Sequence, residues 1–494
     1  MLSIAVVTLI LSGCTMIHKE PARETIFDKV VNIPKELILD IPYLPPLCDQ
    51  LPGLKKGFAD IEGGKLYYEE EGQGIPLVLL NPGPGGSHHY YHPHFSQAKD
   101  FAHIIYYDAR GTGKSSIDDT GETYTIRQAV EDVENLRKAL KIEKWFVLGW
   151  SFGGFLAQCY ALTYPQHVIG LVLVAASDGL TKEKIKPDRG QMFISKKERD
   201  AIQKAYKAMH EGKLTLVQAM YNAHLAGDWK RQSYYKPTPE EFIREALYEW
   251  SPAPGFNSLM SLDSLKISLD GKFDNFEIPT LITEAKWDLT WNTDKAEFMR
   301  KNHPNAQFEY FEKSGHGIFA DEPEKFFSLL KNFLEKSIKA QIAYKPGNRL
   351  LWPKPLSPLA CKLVMIKSLT DKKEAEKKLF ALYEQAISEN VDNADVWQQL
   401  FHVFLRKKGH FEKGLEALKR YESFAKTQDP EELQEYGHCI KAWQGQLLDL
   451  LGRHDEAVKC YQEILQNFKV VCNSCDDVDK KWLEEHIKKP FTLD

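Results

Sequence analysis

Short apolar runs that alternate with helical stretches are the feature that most restricts the fold of this chain. Four such runs are Leu77–Leu80, Ile104–Tyr107, Trp145–Leu148 and Leu171–Val174. Between two of them, Gln128 to Leu140 places its apolar residues on one face of a helix. The alternation resumes at Thr280–Thr283 and Phe308–Phe311. Strands that are apolar along their length and separated by helices predict a mostly parallel, doubly wound sheet.

The rest of the chain divides by composition. Six prolines between residues 15 and 54 disfavour long helices and predict an extended spacer. The pair Gly63-Gly64 predicts a hairpin turn at the start of a sheet domain that spans residues 55–336. From about residue 178 to 276 the strand pattern gives way to charged helical sequence, which predicts a helical lid. Prolines from Pro346 to Pro358 indicate a linker over residues 337–368.

Residues 369–494 have an almost entirely helical pattern in which one motif recurs. Gly452 begins Gly-Arg-His-Asp-Glu-Ala, with Trp443 before it and Tyr461 after it, and Gly409 begins a looser copy. This motif resembles the tetratricopeptide repeat, which implies stacked helix pairs that offer a groove to a protein partner. The two glycines are farther apart than the usual repeat of about 34 residues, so we expect an insertion near Asp429. A plain helical bundle is the alternative.

The charge balance excludes some partners. With 64 Lys+Arg against 69 Asp+Glu, the formal net charge is -5, which lacks the basic excess that nucleic-acid binding requires. The sequence Gly113-Lys114-Ser115 is similar to a phosphate-binding loop, but Asp108 occupies the position of the first glycine of that motif. We therefore expect neither a nucleic-acid partner nor a cofactor.

The sequence around Ser151 indicates a nucleophile. The run Trp145–Leu148 leads into Gly149-Trp150-Ser151-Phe152-Gly153. A strand that enters G-x-S-x-G and continues as a helix is typical of a nucleophile elbow, in which glycines permit the strained turn that exposes the serine hydroxyl. The N-terminus of the following helix also favours negative charge.

Glycines after the first apolar run predict an oxyanion hole. Leu77–Leu80 leads into Asn81-Pro82-Gly83-Pro84-Gly85-Gly86, and the backbone N–H groups of Gly83 and Phe152 would form the hole. Nearby, His88, His89, His92 and His94 have a spacing that fits no metallohydrolase signature. We therefore expect no metal ion and place these histidines at the mouth of the pocket.

A serine nucleophile needs a base, and the base needs an acid that orients it. Thr280–Thr283 is followed by Asp288, and Phe308–Phe311 is followed by His316. The chain order Ser151, Asp288, His316 is the order that such hydrolases use. Glu284 is a rival for the acid, because it also lies at the end of its strand.

These residues resemble the α/β-hydrolase superfamily and, within it, the proline iminopeptidase group. In that group an H-G-G-P-G motif builds the oxyanion side and a D-x-R-G-x-G-x-S turn follows it. Asp108 to Ser115 match the second motif, whereas Asn81 and Pro82 depart from the first two residues of the first motif. The resemblance excludes dehalogenases and epoxide hydrolases of this fold, which carry Asp at the position of Ser151.

The resemblance implies an aminopeptidase that removes N-terminal residues, often proline, from short peptides. One alternative is a carboxylesterase or other acyl hydrolase with the same triad, which would take a small ester substrate. Another is a non-catalytic hydrolase fold that serves as a scaffold for the repeat domain. In the proline iminopeptidase group lid carboxylates recognise the substrate amine, but the lid residues Glu240, Glu241, Glu245 and Glu249 are equally consistent with a solvated helix face.

The N-terminus predicts export. Leu2–Leu11 is an apolar block too short to cross a bilayer. It ends in Leu11-Ser12-Gly13-Cys14, which resembles the bacterial lipobox, where cleavage before a cysteine precedes its lipidation. The resemblance implies a signal segment over residues 1–14, a lipid on Cys14 and an envelope lipoprotein anchored to a membrane. An ordinary buried strand or helix is the alternative. For Cys472 and Cys475, a local disulfide and unpaired thiols both remain open.

Overall fold

The computed structural model describes residues 53–176, 194–231, 252–288, 293–339, 348–369, 372–466 and 480–493, except residues 212, 215, 406 and 429. The predicted signal segment, Cys14 and nearly all of the predicted spacer lie outside these residues, as do Cys472 and Cys475. The chain divides into two compact units between Lys354 and Pro355, and Thr120–Glu122 groups with the second unit.

An eight-stranded sheet forms the centre of the first unit. Its strands are β1 (Lys55–Ile61), β2 (Gly64–Gly72), β3 (Ile75–Leu80), β4 (Ala102–Tyr107), β5 (Trp145–Trp150), β6 (Val168–Val174), β7 (Thr280–Ala285) and β8 (Gln307–Phe311). Their order is β1-β2-β4-β3-β5-β6-β7-β8. Strands β1 and β2 form the predicted hairpin, β2 pairs antiparallel with β4, and the remaining pairs are parallel. This confirms the predicted mostly parallel sheet.

Helices follow the strands as the alternation predicts. In the first unit they are α1 (Ile126–Ala139), α2 (Phe152–Thr163), α3 (Lys196–His210), α4 (Leu216–Ala226), α5 (Phe256–Ser264), α6 (Thr293–Asn302), α7 (Ile318–Asp321) and α8 (Pro323–Lys339). Helix α1 begins before the predicted Gln128 because the Thr125 side chain caps it and accepts a hydrogen bond from the Gln128 N–H. Helices α3, α4 and α5 lie in the predicted lid segment, of which residues 177–193 and 232–251 lie outside the described residues.

Among the described residues of the second unit, all regular secondary structure is helical. Its helices are α9 (Pro358–Lys367), α10 (Lys372–Ser388), α11 (Ala394–Leu405), α12 (Phe411–Gln428), α13 (Pro430–Leu450), α14 (His454–Gln466) and α15 (Lys480–His486). Helix α9 occupies residues that we expected to be a linker. Pro358 starts this helix because a proline at the first helical position loses no hydrogen bond, and Ser357 caps it.

Helix pairs in the second unit pack closely. In the pair α13–α14, a Cβ atom on Gly445 would lie 2.2 Å from the ring of Tyr461, so only a glycine fits there. We expected an insertion near Asp429 to explain the long spacing between the two motifs. The structure accounts for this spacing by long helices, because α12 has 18 residues and α13 has 21. Among the described helices of the whole chain, none combines the length and the hydropathy needed to cross a bilayer.

Candidate active site

Ser151 lies in a strained turn between β5 and α2. Its backbone has φ 56° and ψ -120°, which is unfavourable for a residue with a side chain. The turn requires glycines, because a Cβ on Gly149 would lie 2.1 Å from the carbonyl oxygen of Gly153. The Ser151 N–H donates to the carbonyl oxygen of Val174 at the end of β6. The backbone is therefore held in the geometry of a nucleophile elbow.

Residues 82–86, called the oxyanion turn here after their predicted role, follow β3 beside this elbow. Gly83 has φ 131°, and a Cβ on it would lie 2.4 Å from the Gly85 nitrogen. A Cβ on Gly153 would meet the Leu80 carbonyl oxygen at 2.0 Å, so the first turn of α2 packs directly on the end of β3. Within the described part of the chain, neither the Gly83 N–H nor the Phe152 N–H donates a hydrogen bond. Both donors are therefore available to a bound group.

The structure brings His316 and Asp288 together. The His316 Nδ1 atom lies 3.0 Å from Asp288 Oδ2, and the Asp288 side chain is buried. The loop that carries His316 is held by Asp321, which accepts a hydrogen bond from the Gly315 N–H. Glu284, the rival acid, is paired instead with Arg300 of α6 at 3.0 Å. The geometry thus favours Asp288 as the partner of the imidazole.

Trp150 connects the elbow to His316. Its indole Nε1–H donates to the His316 carbonyl oxygen at 2.8 Å, and the two rings are 5.5 Å apart. The indole also packs edge-on against Tyr90 and Phe319. The residue immediately before Ser151 therefore fixes the backbone of the histidine, although the two lie 166 positions apart in the chain.

Comparison with known proteins agrees with this geometry. The family model described as alpha/beta hydrolase fold matches residues 76–323, which is half of the chain. The chain belongs to this family.

The chain is similar to several individual proteins of this family that are named proline iminopeptidases. The hydrolase is 29% identical over 295 residues to a proline iminopeptidase of Saccharolobus solfataricus, a match that covers 57% of this chain and 93% of the relative. It is 33% identical over 273 residues to a proline iminopeptidase of Lactobacillus delbrueckii subsp. bulgaricus, which covers 52% and 89% respectively. A solved proline iminopeptidase from Mycobacterium smegmatis aligns with 58% of this chain and all of its own, at 17% identity and a TM-score of 0.41.

The family and these relatives make the protein a hydrolase of the peptidase or esterase type. A non-catalytic scaffold does not agree with that assignment.

The histidines of the hydrolase that follow the oxyanion turn do not line a pocket mouth. His88, His89 and His92 are buried, so that prediction was wrong. The reason is that Ser87 caps a short 3-10 helix, His88–Tyr91, which turns these side chains toward β2 and β4. His88 Nδ1 lies 2.8 Å from Asp108 Oδ1, and His92 Nε2 lies 2.9 Å from Glu69 Oε2.

His88 is the centre of a buried charged cluster, Glu69–His88–Asp108. Its Nε2 atom lies 3.4 Å from Glu69 Oε1, and all three side chains are fully buried. Burial alone would lower the pKa of His88, but the two carboxylates raise it to about 10. Burial alone would raise the pKa values of Glu69 and Asp108, but His88, joined at Glu69 by His92, holds both below their usual range. The cluster is therefore an ionised imidazolium between two carboxylates.

Asp108 also organises the glycine turn after β4. Its Oδ2 atom accepts a hydrogen bond from the Lys114 N–H at 2.8 Å, and a Cβ on Gly113 would lie 2.0 Å from the same oxygen. The carboxylate thus fills the space inside the turn. Arg110 holds the turn to α1 through Asp132, at 2.8 and 2.9 Å.

Sequence reasoning missed Trp150 and Glu69. Trp150 could have been considered, because it directly precedes the predicted nucleophile, Ser151, and a large side chain there must contact neighbouring loops. Glu69 carries no such signal, because only the pairing of β2 with β4 brings it to the residues after β3.

Proposed function

We propose that the protein is a serine hydrolase whose triad is Ser151, His316 and Asp288. The observation that carries this proposal is the strained elbow at Ser151 together with the hydrogen-bonded His316–Asp288 pair. Asp288 accepts the Nδ1–H of the imidazole, which leaves Nε2 as the base for the serine hydroxyl.

Catalysis then proceeds by acyl transfer. His316 Nε2 takes the proton of the Ser151 hydroxyl as its oxygen attacks the acyl carbon, and the N–H groups of Gly83 and Phe152 stabilise the oxyanion. The intermediate collapses when the imidazolium gives its proton to the leaving group. Water, deprotonated by the same imidazole, releases the acyl group from Ser151.

We propose further that the substrate is a short peptide from which an N-terminal residue, often proline, is removed. The support is that relatives at 29% and 33% identity, covered over most of their length, are proline iminopeptidases. A carboxylesterase is the second candidate, because the same triad and oxyanion hole cleave esters and Asn81 stands where the iminopeptidase motif has His.

Two chromogenic substrates separate these candidates. The purified full-length chain and its Ser151→Ala variant are assayed with proline β-naphthylamide and with p-nitrophenyl acetate. We expect amide cleavage that the variant loses by about 10³-fold or more. Ester cleavage alone would favour the esterase. If the Ser151→Ala variant retains wild-type rates on both substrates, the proposed triad is wrong.

We also propose that the chain is exported and anchored through a lipid on Cys14. The lipobox-like sequence Leu11-Ser12-Gly13-Cys14 supports this. In bacteria fed a labelled fatty acid, we expect label on the wild-type chain in the membrane fraction and none on Cys14→Ala. A wild-type chain that is unlabelled and found in the soluble fraction would contradict the proposal.

The second unit is proposed to bind a protein partner through its tetratricopeptide-like helix pairs. The close packing of Gly445 on Tyr461 supports such pairs. Cross-linking in cells is expected to give an adduct that is absent when the chain ends at Lys354. An adduct pattern that does not change with this truncation would contradict a binding role.

A further inference from the structure

The second unit contains an open cavity at the junction of its two tetratricopeptide-like helix pairs. The lining residues come from α12 of the first pair and from α13 and α14 of the second pair. The cavity has a volume of about 310 Å³, which is at the lower end of the range for small-molecule pockets. Ile440 of α13 and Ile464 of α14 form an apolar part of the lining and are almost completely buried. A single long side chain of a bound partner fits a space of this size and lining.

A glycine in the interior of α13 keeps one wall of the cavity open. Gly437 lines the cavity, and a Cβ on it would have no neighbouring atom within 4 Å among the described residues. In the same helix, by contrast, a Cβ on Gly445 would lie 2.2 Å from the ring of Tyr461. Glycine is unfavourable in a helix interior, and close packing accounts for Gly445 but not for Gly437. The open wall at Gly437 allows a ligand to approach the helix backbone closely.

The charged side chains of the lining are acidic on balance. Glu422 of α12 and Glu463 of α14 line the cavity together with Lys441 and His438, so two carboxylates stand against one ammonium group. Glu463 lies 3.4 Å from Lys441 Nζ, and Glu422 lies 3.5 Å from Lys426 Nζ. Both distances exceed the roughly 2.7 to 2.9 Å of a charge-assisted hydrogen bond. Since a carboxylate accepts from several donors at once, both glutamates can bind a further cation.

We propose that this cavity binds an arginine side chain of the partner protein. The inference rests on the proposed partner-binding role of the second unit. The aliphatic stem of the arginine lies against Ile440 and Ile464, and its guanidinium pairs with Glu422 and Glu463, since long basic side chains combine an apolar stem with a charged head. The planar guanidinium has five N–H donors, which serve carboxylates on two helices, and it is more weakly hydrated than an ammonium group. The ligand class is therefore a basic peptide segment.

Two changes test the site in the full-length chain. Gly437→Leu fills the cavity from its open wall, and the variant should fold because leucine is a better helix former than glycine. The double variant Glu422→Gln/Glu463→Gln removes both charges at nearly the same size. Glu456→Gln is the matched control, because Glu456 lies two turns before Glu463 in α14 and pairs with Arg453 at 2.7 Å outside the cavity lining.

The probe is a fluorescein-labelled peptide of five Arg-Ala repeats, and its control is the same peptide with citrulline in place of arginine. Citrulline keeps the length and the planar head of arginine but carries no charge. Fluorescence anisotropy measures the Kd of both peptides for the wild type and for each variant. Thermal unfolding of every variant is recorded beside these titrations.

We expect the wild type to bind the arginine peptide about tenfold or more tightly than the citrulline peptide. Gly437→Leu and the double variant should raise the Kd for the arginine peptide by about tenfold or more, the range for lost hydrogen bonds to a charged group. Glu456→Gln should stay within about twofold of the wild type. The inference is overturned if both peptides bind equally or neither binds, if Gly437→Leu leaves the Kd unchanged, or if Glu456→Gln raises it as much as the double variant does.

Cross-linking in cells separates this inference from the proposed partner-binding role. We expect the adduct that is lost when the chain ends at Lys354 to be lost in Gly437→Leu as well. An adduct that depends on the second unit but is unchanged in Gly437→Leu would leave the role in place and overturn the arginine site. An adduct pattern that the truncation does not change would overturn the role, and the inference with it.

Discussion

Replacement of His88 by leucine is expected to destabilise the protein strongly. The substitution leaves Glu69 and Asp108, both fully buried, without the imidazolium that lies 3.4 and 2.8 Å from them. Removing one partner of a buried ion pair typically costs about 3 to 5 kcal/mol, because the remaining charge stays desolvated. At about 2 to 4 °C per kcal/mol, the midpoint of thermal unfolding should fall by about 6 to 20 °C.

The loss of unfolding free energy in His88→Leu should depend on pH. In the wild type, the raised pKa of His88 gives a stabilisation that is complete below about pH 6.5 and is lost as the pH rises toward 10. In the variant, Glu69 keeps His92 Nε2 at 2.9 Å, whereas Asp108 keeps the Lys114 N–H but loses the imidazolium. Burial then favours the protonated form of Asp108, so protons bind on folding and acid relieves the defect. The difference in unfolding free energy should therefore be largest near pH 6.5 and smaller at pH 5 and pH 9.

Urea unfolding of the full-length chain, followed by tryptophan fluorescence at these three pH values, measures this difference. His103→Leu is the control, because His103 also pairs with a glutamate, Glu70 at 2.7 Å, but both side chains are partly exposed. A partly exposed pair of this kind contributes at most about 1 kcal/mol. A His88→Leu loss no larger than that of His103→Leu, or one that is the same at all three pH values, would refute the reasoning.

Four further substitutions probe the candidate active site. Trp150→Phe removes the hydrogen bond to the His316 carbonyl oxygen and should lower kcat about tenfold with KM little changed. Steady-state kinetics measures both constants, and a tenfold rise in KM would indicate a contact with the substrate instead. Asp288→Asn should lower kcat by about 10³- to 10⁴-fold, whereas Glu284→Gln should keep activity within about tenfold, and the same assay on both variants distinguishes the acids. Gly153→Ala should lower the yield of folded protein, measured by gel filtration and circular dichroism, because its Cβ would lie 2.0 Å from the end of β3.

Local sequence was sufficient to predict the strands of the sheet, the elbow at Ser151 and the positions of the candidate acid and base. The strand-turn-helix around Ser151 was predictable because the glycines on both sides leave few other conformations for that stretch. The strands β7 and β8 were predictable from the short runs Thr280–Thr283 and Phe308–Phe311. Asp288 and His316 follow these strands, so they were expected at the edge where parallel strands present their loops.

The contacts made across the fold were not predictable in this way. The order of strands puts β4 between β2 and β3, and this order alone brings Glu69 to His88. The four histidines were expected at a pocket mouth because their loop lies next to the predicted oxyanion turn. His88 and His92 are buried instead, because they pair with Glu69 of β2 and His88 also pairs with Asp108 after β4. Pro358 was taken as part of a linker because it ends the proline-rich stretch that begins at Pro346. A proline can also start a helix, and the Ser357 cap shows that Pro358 has this second role.

The sequence by itself therefore determined the class of sheet and the elbow at Ser151, since each depends on residues close together in the chain. The tertiary structure alone decided which acid meets His316, which side chains surround the oxyanion turn and where the lid contacts it. Those choices depend on pairs such as Trp150 with His316, or Asn257 with Gly85. Their partners are separated by more than a hundred residues, and only the packed sheet and lid bring them within contact distance.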